Sequence, residues 1–247
     1  MKLFKSVVAG AAMFSLFNAA WAISLPDDLD PSKVPDKSTL KLLTEDLGAA
    51  MSYKAITPAE PLGITGFDIG FETTFTSLSN VDSWGNAIGT TSLDVLPLPK
   101  IHAHKGLPFG IDIGLAYAQI PGSNIKYLGG ELRYSFVSGN VALPAIAVRG
   151  TYTTILGVDG VSFSTKGVEA TVSKGFLFLT PYGGLGYQLA DSEFETGVVG
   201  VGTLDESVSM FKWFAGLNIN MGLLNIAGEV DQTGDAMSYS AKLGFRF

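Results

Sequence analysis

From Ile64 to the C-terminus, apolar and polar residues alternate with a period of two, the pattern of strands that show a different environment to each face. Ten such segments can be read. The first, Ile64–Leu78, sets Phe67, Ile69, Phe71 and Phe75 against Asp68, Gly70, Glu72 and Thr74. Leu93–His104, Pro108–Gln119, Ile125–Phe136, Ala142–Leu156 and Ser162–Ser173 follow, then Phe178–Leu189, Ser207–Met221 and Leu224–Asp231. The tenth, Met237–Phe247, alternates without a break and ends on an aromatic residue. Each segment is long enough for a tilted membrane crossing, which takes about ten residues.

Alternation alone also describes a soluble β-sandwich, whose apolar face turns inward. Two further patterns favour a membrane barrel. Short links (104–107, 138–141, 174–177, 222–223) fall at one end of the strands, and the two longest, Ser79–Ser92 and Ala190–Glu206, fall at the other. Phe67, Phe109, Phe136, Phe178 and Phe247 lie near the short-turn end; Phe75, Tyr117, Tyr152, Tyr187, Phe211 and Tyr239 lie near the long-loop end. Members on one strand are eight or nine residues apart. At ~3.3 Å per residue and a tilt near ~40°, that is roughly 20–23 Å, close to the apolar band of a membrane barrel. An even strand number puts both ends of the barrel at the short-turn side.

The C-terminal stretch, Met237 to Phe247, resembles the assembly signal of Gram-negative outer-membrane β-barrel proteins. The resemblance implies an all-β fold, an antiparallel transmembrane β-barrel of about ten strands over residues 64–247. It also implies insertion by the barrel-assembly machinery through the strand ending at Phe247, and contact with outer-membrane lipid.

The start of the chain agrees with export. Lys2 and Lys5 precede an apolar run, Val7 to Phe17, and Ala20-Trp21-Ala22 fits a cleavage site, so residues 1–22 read as a signal peptide. Residues 23–63 read as a periplasmic N-terminal segment. Within it Asp36 is placed to cap a short helix from Lys37 to about Met51, with Leu40, Leu43, Leu47 and Met51 on one face. A helix lying against the barrel wall or rim is the preferred expectation; a plug in the lumen is the alternative.

Charge and composition narrow the function classes. The chain has 16 basic and 23 acidic residues; the signal carries two of the basic ones, leaving the mature chain at −9. That balance disfavours nucleic acid as a partner. The absence of cysteine excludes disulfides and thiolate metal sites.

The inward positions decide whether a pore exists. Pairing about the turns sets Glu131 opposite Arg149 and Arg149 opposite Glu169, with Arg133 nearby. At the closing seam Lys242 and Arg246 face Asp68 and Glu72. These eight residues form a lumen charge ladder, read either as a selective constriction or as neutralising pairs that keep the interior shut. Pro97 and Pro99 each remove a ladder donor from the same side of the second strand, and mark a candidate lateral seam. Only two histidines occur, His102 and His104, both inward near the short turns. Further metal ligands are not evident near them, and no nucleophile motif of the Gly-x-Ser-x-Gly kind is present. No metal, cofactor or catalytic residue is therefore assigned, and an enzyme is not expected. The expected function is a narrow passive channel or transporter for a small solute, with an apolar one as a candidate. The alternative is a non-transporting structural or binding barrel acting through its external loops, and a lipid-modifying outer-membrane enzyme is the third reading.

Overall fold

The structure, a computed structural model, describes residues 37–88, 94–119, 124–158, 160–195 and 202–247. Residues 1–22, expected to be a signal peptide, and Asp36, expected to cap the helix, lie outside the described residues. The chain runs α1 (Lys37–Met51), β1 (Phe67–Ser77), α2 (Val81–Ile88), β2 (Val95–Gly106), β3 (Ile111–Gln119), β4 (Lys126–Ser138), β5 (Ala145–Leu156), β6 (Val161–Ser173), β7 (Leu179–Glu195), β8 (Thr203–Met221), β9 (Leu224–Thr233) and β10 (Ala236–Arg246). The ten strands pair antiparallel with their sequence neighbours, and β1 pairs with β10 to close the barrel. Closure removes every full-length sheet edge, so backbone donors and acceptors are met within the wall, as hydrocarbon requires.

The two faces are inverted relative to a soluble protein. Leu115, Val168, Leu185, Tyr187 and Phe245 stand exposed on the outside, whereas Glu72, Asp112, Arg133, Glu169, Lys212 and Lys242 are buried inside. Phe247 closes the seam with its own backbone: its N–H donates to the Phe67 carbonyl at 3.0 Å and its carbonyl accepts from the Phe67 N–H at 2.9 Å. The two rings stack edge to face with centroids 3.8 Å apart.

Several expectations need correction. The long link Ala190–Glu206 is mostly strand: β7 continues to Glu195 and β8 begins at Thr203, so this hairpin projects past the Tyr187–Phe211 ring pair. Ser79–Ser92 contains α2 rather than an unstructured loop. Phe109 lies in the tight β2–β3 turn, not on a strand, with a left-handed backbone (φ 65°). That conformation is costly for a bulky residue.

The largest correction concerns α1, which lies neither against the outside of the wall nor at the rim. It occupies the loop-end half of the lumen. Leu40, Leu43, Leu47 and Met51 are buried in one apolar cluster with Leu78, Leu96, Leu98, Tyr127, Phe194 and Met210 from the strands. Each Leu removed from water in this way stabilises by about 1.5–3 kcal/mol. Small residues let the helix reach the wall: a Cβ on Gly48 would sit 2.7 Å from the Ala190 Cβ. The helix ends at Met51, where Ser52 Oγ and Lys54 Nζ donate to the Ala49 carbonyl and Thr153 Oγ1 donates to the Met51 carbonyl. These bonds satisfy the acceptors that a helix end leaves open.

Candidate functional site: the filled lumen

After α1 the chain descends through the lumen as an extended strap, residues 52–62, and Ser52 to Ala59 are all buried. Inward side chains of the wall fasten it along its length. Lys54 Nζ pairs with Asp231 at 2.9 Å. Lys212 Nζ donates to the Tyr53 carbonyl at 2.9 Å, and the Tyr53 hydroxyl lies 3.1 Å from His104 Nε2. Arg133 Nη1 donates to Thr57 Oγ1 and to the Pro58 carbonyl. Lower still, the Ala59 carbonyl accepts from Ser135 Oγ, and the Leu62 N–H donates to Asp112. Ile56, midway, has a left-handed backbone (φ 47°). That strain, of order 1–3 kcal/mol for a β-branched residue, is held by the fastened positions on either side.

The wall makes room for the strap with small inward residues. A Cβ on Gly129 would sit 2.9 Å from the Tyr53 ring. Where the strap does not reach, Phe214 fills the space beside Gly184 and carries cations over its ring: Arg149 at 5.4 Å and Lys212 at 5.7 Å.

At the loop end, buried Asp46 of α1 ties the plug to the connection after β1. It accepts from the backbone N–H of Ser79 and Asn80 and from Trp84 Nε1, all at 2.9–3.0 Å. Asp46 and Trp84 were not singled out from sequence, because a carboxylate beside an exposed-looking helix face gives no signal of burial. Next to them a cavity of about 210 Å³ opens at the loop end, lined by Glu45, Asn80, Phe211, Thr233 and Asp235 among others. Partial burial raises the Glu45 carboxyl above its usual range, offset in part by Lys41.

All eight residues of the lumen ladder face inward, and of the pairings the turn arithmetic gave, the one of Glu131 opposite Arg149 is displaced. Arg149 is in register with Glu169 and pairs with it at 2.8 Å. On its other side it faces Arg133, not Glu131. The turn is longer than the 138–141 link, with Ser138 across from Ala145, and a bulge between Ser135 and Val137 then shifts the register by one residue. Glu131 still reaches Arg149 diagonally at 3.5 Å, and Arg133 turns instead to Asp112 at 2.6 Å. At the seam, Asp68 lies across from Arg246 and Glu72 across from Lys242. Lys242 nevertheless bends to Asp68 at 2.8 Å, while Glu72 takes Lys100 at 2.9 Å. The charges are thus interlocked pairs, and the strap occupies the space between them.

The histidines also differ from expectation. Carboxylates do stand beside them: Asp68 Oδ1 is 3.1 Å from His102 Nε2, Glu72 Oε2 is 3.4 Å from His102 Nδ1, and Glu131 Oε1 is 3.5 Å from His104 Nε2. These acids come from β1 and β4, so their distance along the chain hid the cluster.

Pro97 and Pro99 occupy a distinct position in the wall. The Gly106 N–H donates toward β1, to Gly66, so even-numbered residues of β2 point their donors at β1 and odd-numbered ones at β3. Pairing with β3 ends at Ile101↔Tyr117, whereas pairing with β1 continues to Val95. The missing donors of Pro99 and Pro97 therefore face the β3 side beyond the last described β2–β3 pair, and proline suits such an unpaired position. The seam lies level with Phe75 and Tyr239, at the outer border of the apolar band rather than in its middle. Behind it lie Leu96 and Leu98, both buried in the apolar upper lumen.

Residues 69–247 match a family described as "Family of unknown function (DUF6588)". The chain belongs to this family. No match is found among curated proteins. Among solved structures, the chain is similar to the N-terminal β-barrel domain of Pseudomonas aeruginosa OprF, with 13% identity over 74% of this chain and 100% of that one, at a TM-score of 0.36. It is similar to the KdgM porin with 7% identity, 73% and 99% coverage and a TM-score of 0.36. Neisserial surface protein A matches with 9% identity, 73% and 94% coverage and a TM-score of 0.30. Likeness at that level carries nothing on function. This DUF6588 family member is a closed ten-stranded β-barrel whose inside is filled by its own N-terminal segment.

Proposed function

We propose that this DUF6588 family member is an axially closed barrel of the Gram-negative outer membrane that exchanges a small apolar solute with the membrane through its side. The signal-like N-terminus supports export, and the strand ending at Phe247 supports insertion by the barrel-assembly machinery. The observation that carries the reading is that β2–β3 pairing among the described residues ends at Ile101↔Tyr117, short of Pro99 and Pro97, with the apolar upper lumen directly behind this stretch of β2. A sealed barrel would continue the β2–β3 ladder to the loop end. Extending its register puts Pro99 across from Gln119, where proline has no N–H to offer. The ladder stops there for that reason. Polar solutes meet a different interior: the strap and the paired charges leave them no continuous path.

The reading is tested with liposomes carrying the full chain and an apolar fluorescent solute. Replacing Pro97 and Pro99 by Thr returns both donors to the edge and lets β2 pair onward. Solute transfer is expected to fall by about tenfold, the effect of roughly 1.4 kcal/mol at the gate. Unchanged transfer in a folded Pro97→Thr/Pro99→Thr variant contradicts the side route.

A second reading, binding through the external face, is favoured by the projecting β7–β8 hairpin. It carries Glu193, Glu195 and Asp205 into solvent beyond the ring pair. Shortening the hairpin between Asp191 and Ser207 would remove a binding function and leave solute transfer unchanged.

A further inference from the structure

The turn-end half of the lumen contains a set of metal-type donors that the side route does not use. His102 and His104 share the inward face of β2, with ring centroids 5.2 Å apart. Asp68 on β1 lies across the ladder from His104. Each of the three is at least 97% buried, and each offers one ligand atom within 4.8 Å of the other two. Glycine makes the space: Gly114, opposite His104 on β3, has no side chain where a Cβ would run into the imidazole.

We propose that Asp68, His102 and His104 form a site for a divalent transition-metal ion of the zinc type. Two imidazoles and one carboxylate are the donor set such ions select over magnesium or calcium. A tetrahedral zinc with bonds of about 2.0–2.1 Å separates neighbouring ligand atoms by ~3.3 Å. Asp68 Oδ1 and His102 Nε2 are already 3.1 Å apart, so only His104 has to move inward. His104 Nδ1 is buried and has no hydrogen-bond partner, which leaves it available to an ion. A buried polar nitrogen without a partner costs about 1–3 kcal/mol, and a metal bond removes that cost.

The surroundings hold the three ligands as metal ligands are usually held. Asp68 turns Oδ2 to Lys242 at 2.8 Å and to Arg246 at 3.3 Å, which leaves Oδ1 for the site. His104 Nε2 is positioned by the Tyr53 hydroxyl at 3.1 Å, so the strap orients one ligand. His102 Nδ1 lies 3.4 Å from Glu72, itself fixed by Lys100. Glu131, whose Oε1 also lacks a hydrogen-bond partner, stands 3.5 Å from His104 Nε2 as a further carboxylate of the cluster. The alternative is a purely structural network in which the carboxylates and imidazoles satisfy one another.

The chain suits a clean test, because these are its only two histidines and it has no cysteine. The mature full chain, without a histidine tag, is folded in detergent, stripped with chelator and titrated with zinc chloride by calorimetry. One saturable equivalent is expected, and His104→Ala and Asp68→Asn should each weaken it by about tenfold or more. Folding of the variants is checked by heat-modified electrophoretic mobility. Should either fail to fold, the wild-type chain loaded with cobalt decides: visible bands of an imidazole-bound ion, lost on adding zinc, are expected. No saturable zinc binding by the folded wild-type chain overturns the site. So does equal affinity in folded variants, or a cobalt spectrum without imidazole ligands.

Discussion

Arg133 illustrates how single residues keep the lumen closed. Its guanidinium donates to Asp112, to Thr57 and to the Pro58 carbonyl, so one side chain joins β3, β4 and the strap. Removing it leaves the Asp112 carboxylate buried without its cation, a loss of about 3–5 kcal/mol. Arg133→Ala is expected to lower the free energy of unfolding by that amount, read as a lower denaturant midpoint at an unchanged slope. The double variant Asp112→Asn/Arg133→Met should recover part of the loss; equal stability of the two would show that the pair is not coupled. Asp46 makes a second prediction at this scale. Asp46→Ala orphans the Trp84 indole N–H, so Trp84 emission should shift to the red in a Trp213→Phe background. An unmoved spectrum would contradict the anchoring of the plug by Asp46. Arg133 is legible in the sequence as an inward charge but without its partner, and Asp46 gives no sign there of its burial. Alternation shows which face a charge occupies but not its partner: Arg133 lies directly across from Asp112 in the β3–β4 register, a pairing the pattern of the chain did not single out.

The elements were far more legible. Strand number, order and closure followed from the period-two pattern and the link lengths, because a wall with lipid on one side and polar groups on the other forces strict alternation. The helix was legible as a helix and misplaced as a body. Its apolar stripe, Leu40 to Met51, fits any apolar surface, and nothing in that stripe distinguishes the outside of a barrel from the apolar upper half of its lumen. The strap was illegible for a similar reason: its partners, Asp231, Lys212 and Arg133, come from β9, β8 and β4. The position of α1 leads to a direct prediction. Thr44 Oγ1 and Ser192 Oγ are 2.6 Å apart, and the chain has no native cysteine. Thr44→Cys/Ser192→Cys should form a disulfide on oxidation that staples α1 to β7. Failure to cross-link in the folded barrel would place the helix elsewhere.

At the scale of the whole molecule, the lumen divides into two halves of opposite character. The loop-end half is apolar and filled by α1; the turn-end half is charged and threaded by the strap. A ten-stranded barrel is wide enough to hold one such segment and little else. The closed axis is therefore a consequence of the chain occupying its own interior, and among the described residues the β2–β3 ladder ends at Ile101↔Tyr117 while β1–β2 pairing continues to Val95. Planar-bilayer recording of the full chain tests this most directly. The closed barrel predicts no current above that of the bare bilayer across the usual voltage range. Stable, voltage-independent conductance steps from the folded wild-type protein would show an open axial pore and contradict the account.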